Sequence, residues 1–406
     1  MKKLLLLLFG ALLAFSLGGC SINQKPGISS EEISNTPEPD MQSHFQEVYR
    51  QELPENVLSL GWLNDTRFYW VTESRNTDGV SYELRVADVS KGTESIIFER
   101  SLEADHTLDI AVNLSDNQLY LYLRDVSDVP IYSKVILSTA DWKIISEEPL
   151  NFTQDIFWPQ KSKQDIVIGQ DIIKDKKGTF NWKIILYPLE SPERFYPLKQ
   201  FSETRYDFPG TIWSPSGEYF ILANYDALGM DRFESLSALF GYPKVEWPTA
   251  LQYDVFKKDG SFAFSFAVDF IYKDDGSESN FDIFWMPGDQ IYISSTFYDA
   301  TLDTKQSKDH VINSSGTVVY EKEYEGDRNY FGGINFVNGG VYYDEKKDDA
   351  THMMQLSFPT GEITDYGPIA PSAAWGWVST YISPDETFVL LKDNQDRTIR
   401  VLELIK

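Results

Sequence analysis

Large apolar residues recur at every second position through short runs of this chain, and Gly, Pro, Asn and Asp cut the runs apart. YELRVADV at 82–89, YSKVILST at 132–139 and SFAFSFAV at 261–268 are such runs, the last with Phe262, Phe264 and Phe266 on one face. A period of two marks a β-strand with one buried face. One phrase keeps returning: WLNDTRFY from Trp62, NLSDNQLY from Asn113, WSPSGEYF from Trp213, WMPGDQIY from Trp285 and ISPDETFV from Ile382. FVNGGVYY from Phe336 is one residue shorter in the turn, and WPQKSKQDI from Trp158 is one longer. In each, one strand ends, a tight turn follows and a second strand begins on large apolar residues.

The phrases start 51, 45, 55, 72, 51 and 46 residues apart, near the length of a four-stranded propeller blade. Most phrases are followed by two further strands. The last unit stops one strand short, after RTIRVLELI at 397–405, while HFQEVYRQ at 44–51 stands unassigned before the first. The pattern predicts an all-β fold: a β-propeller of seven four-stranded blades, with six or eight as alternatives. Residues 44–51 are expected to close the ring as the outer strand of the last blade, covering an open sheet edge. Trp62, Trp213 and Trp285, beside the turns, are expected in the packing between blades.

WSPSGEYF and ISPDETFV resemble the blade openings of TolB-type and WD-like β-propellers, although no unit ends in Trp-Asp or opens with Gly-His. At the N-terminus, Lys2 and Lys3 precede an apolar run from Leu4 to Leu17 that is short for a bilayer span and fits a signal peptide. Leu17-Gly18-Gly19-Cys20 resembles the bacterial lipobox, which implies cleavage before a Cys that carries diacylglycerol. Cys20 is the only cysteine, so an internal disulfide is excluded. Residues 1–20 are thus expected to be the signal peptide and lipobox, 21–43 a disordered tether rich in Ser, Asn, Glu and Pro, and 44–406 the propeller. Taken together the chain resembles the YqgU-like propeller lipoproteins of Gram-positive bacteria. That resemblance implies a shape and a membrane-anchored, extracytoplasmic address, and no mechanism.

The fourth unit is stretched by DALGMDRFESLSALFGYPKVEWP between its second and third strands. Asp231 and Glu234 are spaced as a capping box, and Phe233, Leu236, Leu239 and Phe240 share one helical face. Gly241 and Pro243 end the run, so one short helix is expected in this blade. Its apolar face either packs onto the ring or, with Tyr242 and Trp247, shapes a surface for a ligand or partner. Trp375 and Trp377, two residues apart, face the same way in a strand and form a second candidate surface.

Charge narrows the partners. Sixty-two acidic residues against thirty-six basic ones give a net charge of -26, which repels nucleic acid. There is no Gly-x-Ser-x-Gly elbow, phosphate-binding loop or dinucleotide fingerprint. His44, His106, His310 and His352 lack the spacing of a zinc site. Asp274, Asp275 and Glu278 gather oxygen ligands suited to calcium, as do Asp344-Glu345 with Asp348-Asp349, although hairpin tips favour Asp for turn reasons alone. No other cofactor is expected. The reading is a non-catalytic binding module for a protein or cell-envelope ligand. The alternatives are a glycan-acting enzyme with paired carboxylates on the propeller face and a structural assembly factor for secreted proteins.

Overall fold

Each returning phrase joins the first strand of an antiparallel sheet to the second, and its residues explain the turn. In WSPSGEYF, Ser214 N–H donates to Tyr219 O at 2.9 Å while its hydroxyl accepts from Tyr219 N–H at 3.2 Å. Ser383 does the same in ISPDETFV, where its hydroxyl accepts from Phe388 N–H at 2.9 Å. Both serines are buried. In WLNDTRFY the side chain of Asn64 takes that role, accepting from the backbone N–H groups of Thr66 and Arg67. A short side-chain oxygen that satisfies the turn's own donors is what the phrase encodes.

The computed structural model describes residues 44–405, apart from 78, 116, 127–129, 153–155, 158–165, 175–179, 189–193, 195, 199–205, 208–212, 225–249, 270–277, 326–333, 348, 372–377 and 395. The described strands form seven four-stranded antiparallel sheets. The first is Val57–Trp62, Arg67–Asn76, Gly79–Asp88 and Thr93–Leu102, and the second Thr107–Ser115, Gln118–Val126, Ile131–Ser138 and Ile144–Leu150. The third is Ile156–Phe157, Ile166–Lys174, Phe180–Pro188 and Tyr196–Pro197, and the fourth Tyr206–Asp207, Tyr219–Asn224, Ala250–Lys257 and Phe262–Asp269. The fifth is Glu278–Met286, Gln290–Asp299, Thr304–Ile312 and Val318–Glu325, and the sixth Asn335–Val337, Gly340–Lys347, Ala350–Ser357 and Ile363–Pro371. The seventh combines Val378–Ile382, Phe388–Asp393 and Thr398–Leu404 with the N-terminal strand Phe45–Glu52. That strand pairs from Phe45↔Leu404 to Glu52↔Thr398. The outer strand missing from the end of the chain is therefore supplied by its beginning.

Apolar side chains fill the seam between every consecutive pair of sheets. Tyr82 and Leu84 of the first pack with Leu121 and Val135 of the second. Tyr122 and Tyr132 meet Tyr187 of the third, and Ile168 and Leu186 meet Phe220 of the fourth. Val255 and Phe266 meet Ile291 and Trp285 of the fifth, whose Tyr292 and Val311 pack with Phe336 of the sixth. Tyr342 and Met353 meet Val389 and Leu391 of the seventh, and Leu390 and Val401 return to Phe68 and Trp70 of the first. The ring is thus closed, and the fold is a β-propeller. A fully buried Leu or Phe contributes about 1.5–3 kcal/mol by leaving water. Trp62, Trp213 and Trp285 all lie in this inter-sheet packing, and Trp62 Nε1 donates to Tyr381 O at 2.9 Å across the closing seam.

The outer edges carry a common device. The register slips where the outermost strand meets its neighbour in the first, second, fourth, fifth, sixth and seventh sheets. Such bulges twist an edge away from pairing with another chain. Among the described residues there is no α-helix, and the helix expected at 231–240 lies outside them. No described helix is long and apolar enough to cross a membrane.

Candidate functional site

The antiparallel order gives the ring two different rims. Links from first to second and from third to fourth strands leave from one rim, and most are tight: Trp62 to Arg67, Asp88 to Thr93, Met286 to Gln290, Val337 to Gly340. Links from second to third strands, and from one sheet to the next, leave from the other rim. The longest, Asn224 to Ala250, is here, with Asp269 to Glu278, Glu325 to Asn335 and Pro371 to Val378, while Phe157 to Ile166, Pro188 to Tyr196 and Asp207 to Tyr219 are the longer links of the first rim. The fourth-blade insertion, the segment with Asp274 and Asp275, and the segment with Trp375 and Trp377 all join strand ends on this long-link rim. Phe233, Leu236, Phe240, Tyr242, Trp247, Trp375, Trp377, Asp274, Asp275 and Cys20 themselves lie outside the described residues. Glu278 opens the inner strand of the fifth sheet.

Near the long-link rim the seam between the fifth and sixth sheets turns polar. Directly paired residues share a face, so Asp282, Ser294, Asp309 and Lys322 form one row across the fifth sheet. The row continues the face of Tyr292 and Val311, which packs against the sixth sheet. Ser294 Oγ donates to the fully buried Asp309 Oδ1 at 3.0 Å, and one step nearer the rim Thr296 and Ser307 share a hydroxyl hydrogen bond of 3.0 Å. Partial burial pushes the Asp282 carboxyl above the usual carboxylate range. From the sixth sheet, Glu345, Lys347, His352 and Asp365 fall on the face of Tyr343 and Met354, toward this seam. Lys347 Nζ donates to Asp365 Oδ2 at 2.7 Å, and His352 Nδ1 lies 3.0 Å from Asp365 Oδ1. Burial works to raise Asp365, but Lys347, His352 and the Gly367 N–H outweigh it and pull the carboxyl down to about 2.

The other face of the sixth sheet carries Asp344, 2% exposed and aimed at the seventh sheet. Thr380 Oγ1 lies 3.2 Å from Asp344 Oδ1, and Asn335 on the first strand of the sixth sheet reaches the same strand of the seventh by donating to Thr380 O at 3.0 Å and accepting from Ile382 N–H at 3.1 Å. Burial drives the Asp344 carboxyl well above its ordinary value, against the opposing pull of Thr380. This corrects the expectation that Asp344 and Glu345 gather at one calcium-binding tip. In a strand, successive side chains point to opposite faces, so Asp344 enters one seam and Glu345 the other.

The remaining sequence candidates have local roles. His106 stands at the link into the second sheet with Nδ1 2.9 Å from Asp125 Oδ1, and that contact raises its pKa. Its ligand atoms and those of exposed Glu103 and Asp105 lie within 4.8 Å of one another. His310 sits in the third strand of the fifth sheet, where burial lowers its pKa. At the base of the insertion, Asn224 Nδ2 donates to buried Asp254 Oδ2 at 2.6 Å, and Ser265 Oγ and Gln252 Nε2 donate to its Oδ1 at 2.6 and 3.0 Å. The polar row was missed in the sequence although its trace is there. QIYISSTFYD and TKQSKDHVI place Ser and Asp at positions in step with buried Tyr292 and Val311.

No family model matches the chain, and no curated protein does. Among solved structures it is similar to an uncharacterized protein of Listeria monocytogenes, with a TM-score of 0.47, 8% identity, and 89% of this chain and 98% of that one covered. An oligogalacturonate lyase in complex with manganese gives 0.46 at 10% identity, covering 89% and 98%. TolB from Acinetobacter baumannii gives 0.29 at 11% identity, covering 82% and 79%. At these low scores and identities the likenesses say nothing of activity here.

Proposed function

We propose that this chain is a lipid-anchored, extracytoplasmic propeller that binds a protein or cell-envelope ligand at its long-link rim, without catalysis of its own. One observation carries the reading: the rims are unequal. Most links of the tight-turn rim are short turns that their own side chains close, whereas the other rim combines the longest link, Asn224 to Ala250, with the polar seams beside the sixth sheet. Long segments on a rigid repeat scaffold are where recognition residues concentrate. The anchor in this reading is diacylglycerol on Cys20, with residues 21–43 as the tether.

Photo-crosslinking residues at Thr77 and Ala300, on the long-link rim, and at Lys91 and Asp259, on the tight-turn rim, test the binding face in intact cells. A discrete adduct from the first pair and none from the second is expected. Adducts from the tight-turn rim alone, or from neither, would overturn the assignment. Cys20→Ser should release the protein from the membrane fraction, and retention of that variant would remove the anchor.

A further inference from the structure

We infer that the seam between the sixth and seventh sheets, near the long-link rim, is a binding site for internal water. Residues of the third strands of both sheets line the core that the two sheets share. Thr351, in step with Met353 of the shared core, turns its side chain toward the seventh sheet and is 2% exposed. Among the described residues its hydroxyl has no hydrogen-bond partner. Thr398 and Arg400 lie on the face of Leu402, which belongs to the same core, and among the described residues Thr398 Oγ1 and Arg400 Nε are likewise buried without a partner. All three atoms lie on the faces that meet in this seam, and Thr398 is paired directly with Asp393 of the second strand.

The ion-pair contacts of Arg400 in this seam are long. Arg400 Nη2 stands 3.7 Å from Asp393 Oδ2, and Nη1 stands 4.0 Å from Glu47 Oε2 on the closing strand. A polar contact beyond about 3.5 Å is where a bridging water belongs. Leaving a buried hydroxyl or guanidinium N–H unsatisfied is costly, and internal waters sit where two to four such groups converge. Hydroxyls, a guanidinium edge and a carboxylate offer that mixture of donors and acceptors. A metal ion is disfavoured beside the Arg400 cation, and an anion beside Asp393 and Glu47.

High-resolution crystals of the full chain decide the matter. Ordered density within hydrogen-bond reach of Thr351 Oγ1 and of Thr398 Oγ1 or Arg400 Nε is expected, without anomalous signal. Thr351→Ser should keep this density and Thr351→Val should lose it. The inference falls if the Thr351 hydroxyl bonds to a protein atom, if the seam is closed and dry, or if the density is a metal ion. It also falls if Thr351→Val leaves the water in place.

Discussion

Thr380 donates its hydroxyl across the seam between the sixth and seventh sheets to the Asp344 carboxyl, 3.2 Å from Oδ1 and 3.3 Å from Oδ2. Among the described residues no other group donates to this carboxyl, and burial drives its pKa well above the ordinary value. The sign of the pH effect follows from proton binding. A carboxyl whose folded pKa exceeds its unfolded one holds more protons in the folded state. Stability is then full below the unfolded value, about 3.9, and declines as pH rises toward the folded value. Asp344→Asn retains an oxygen for Thr380 and removes the titration. Its melting temperature should match the parent near pH 4 and exceed it by a few degrees, on the order of 2–4 °C per kcal/mol, at pH 7–8. Equal melting temperatures at both pH values would contradict a raised Asp344 pKa.

The N-terminal strand is the ring's clasp. Beyond the ladder with Thr398–Leu404, Leu53 N–H donates to Arg397 O at 2.6 Å and Ile405 N–H to His44 O at 2.7 Å. Phe45 enters the core between the sixth and seventh sheets, and Tyr49 that between the seventh and first. Deleting residues 41–52 should lower the melting temperature by more than about 5 °C and speed amide exchange along Thr398–Leu404. Unchanged exchange there would show that the clasp does not hold.

Much of this architecture was legible because one phrase carries its own turn chemistry. Ser214, Ser383 and Asn64 accept hydrogen bonds from nearby backbone within the turns they shape, and local signals of that kind survive in sequence. The closing role of residues 44–51 was legible from an arithmetic of strands. The polar seams were not, because Asp309, Asp344 and Thr351 occupy ordinary strand positions in the sequence. Their meaning depends on which neighbouring sheet each face meets, a long-range relation that period-two patterning does not contain. Asp344 and Glu345 show the error directly: adjacent acids read as one ligand pair but were sent by the pleat to opposite seams.

Asp254 anchors the place where the long fourth-blade link begins and ends. Asn224 is the last residue of one strand and Ala250 the first of the next, and three side-chain donors converge on the carboxylate between them. Asp254→Ala leaves those donors without their acceptor inside the protein, so a loss of about 2–4 kcal/mol is expected in urea unfolding. A loss below about 0.5 kcal/mol, the ordinary range of surface substitutions, would mean that the donors find other partners.

Gly316 closes the outer hairpin of the fifth sheet with φ +84°, and a Cβ there would stand 2.9 Å from the Phe264 ring of the fourth. Gly316→Ala therefore combines a left-handed backbone with a clash against a neighbouring sheet. It should cost at least about 1 kcal/mol, more than the same substitution at Gly288, whose φ is +75° with nothing near its Cβ. Equal melting temperatures for the two variants would remove the inter-sheet contact from the explanation.

The Asp365 clasp beside the polar seam predicts the opposite pH behaviour from Asp344. Here the folded pKa is depressed to about 2, with burial outweighed by Lys347, His352 and the Gly367 N–H. Stability from this group is present above the unfolded value of about 3.9 and is lost as pH falls through about 2. A carboxyl NMR titration should place the Asp365 midpoint below those of the unpaired surface aspartates. Lys347→Ala should move it upward, because the hydrogen bond from Lys347 does most to hold the carboxyl down. Since Asp365 is about one-third exposed, solvent screens the pair and the melting temperature should change by little. The midpoint is therefore the decisive reading: one at the ordinary aspartate value in the parent, or one indifferent to Lys347→Ala, would show that Lys347 and His352 are not committed to Asp365 and stay free to meet a ligand in the seam.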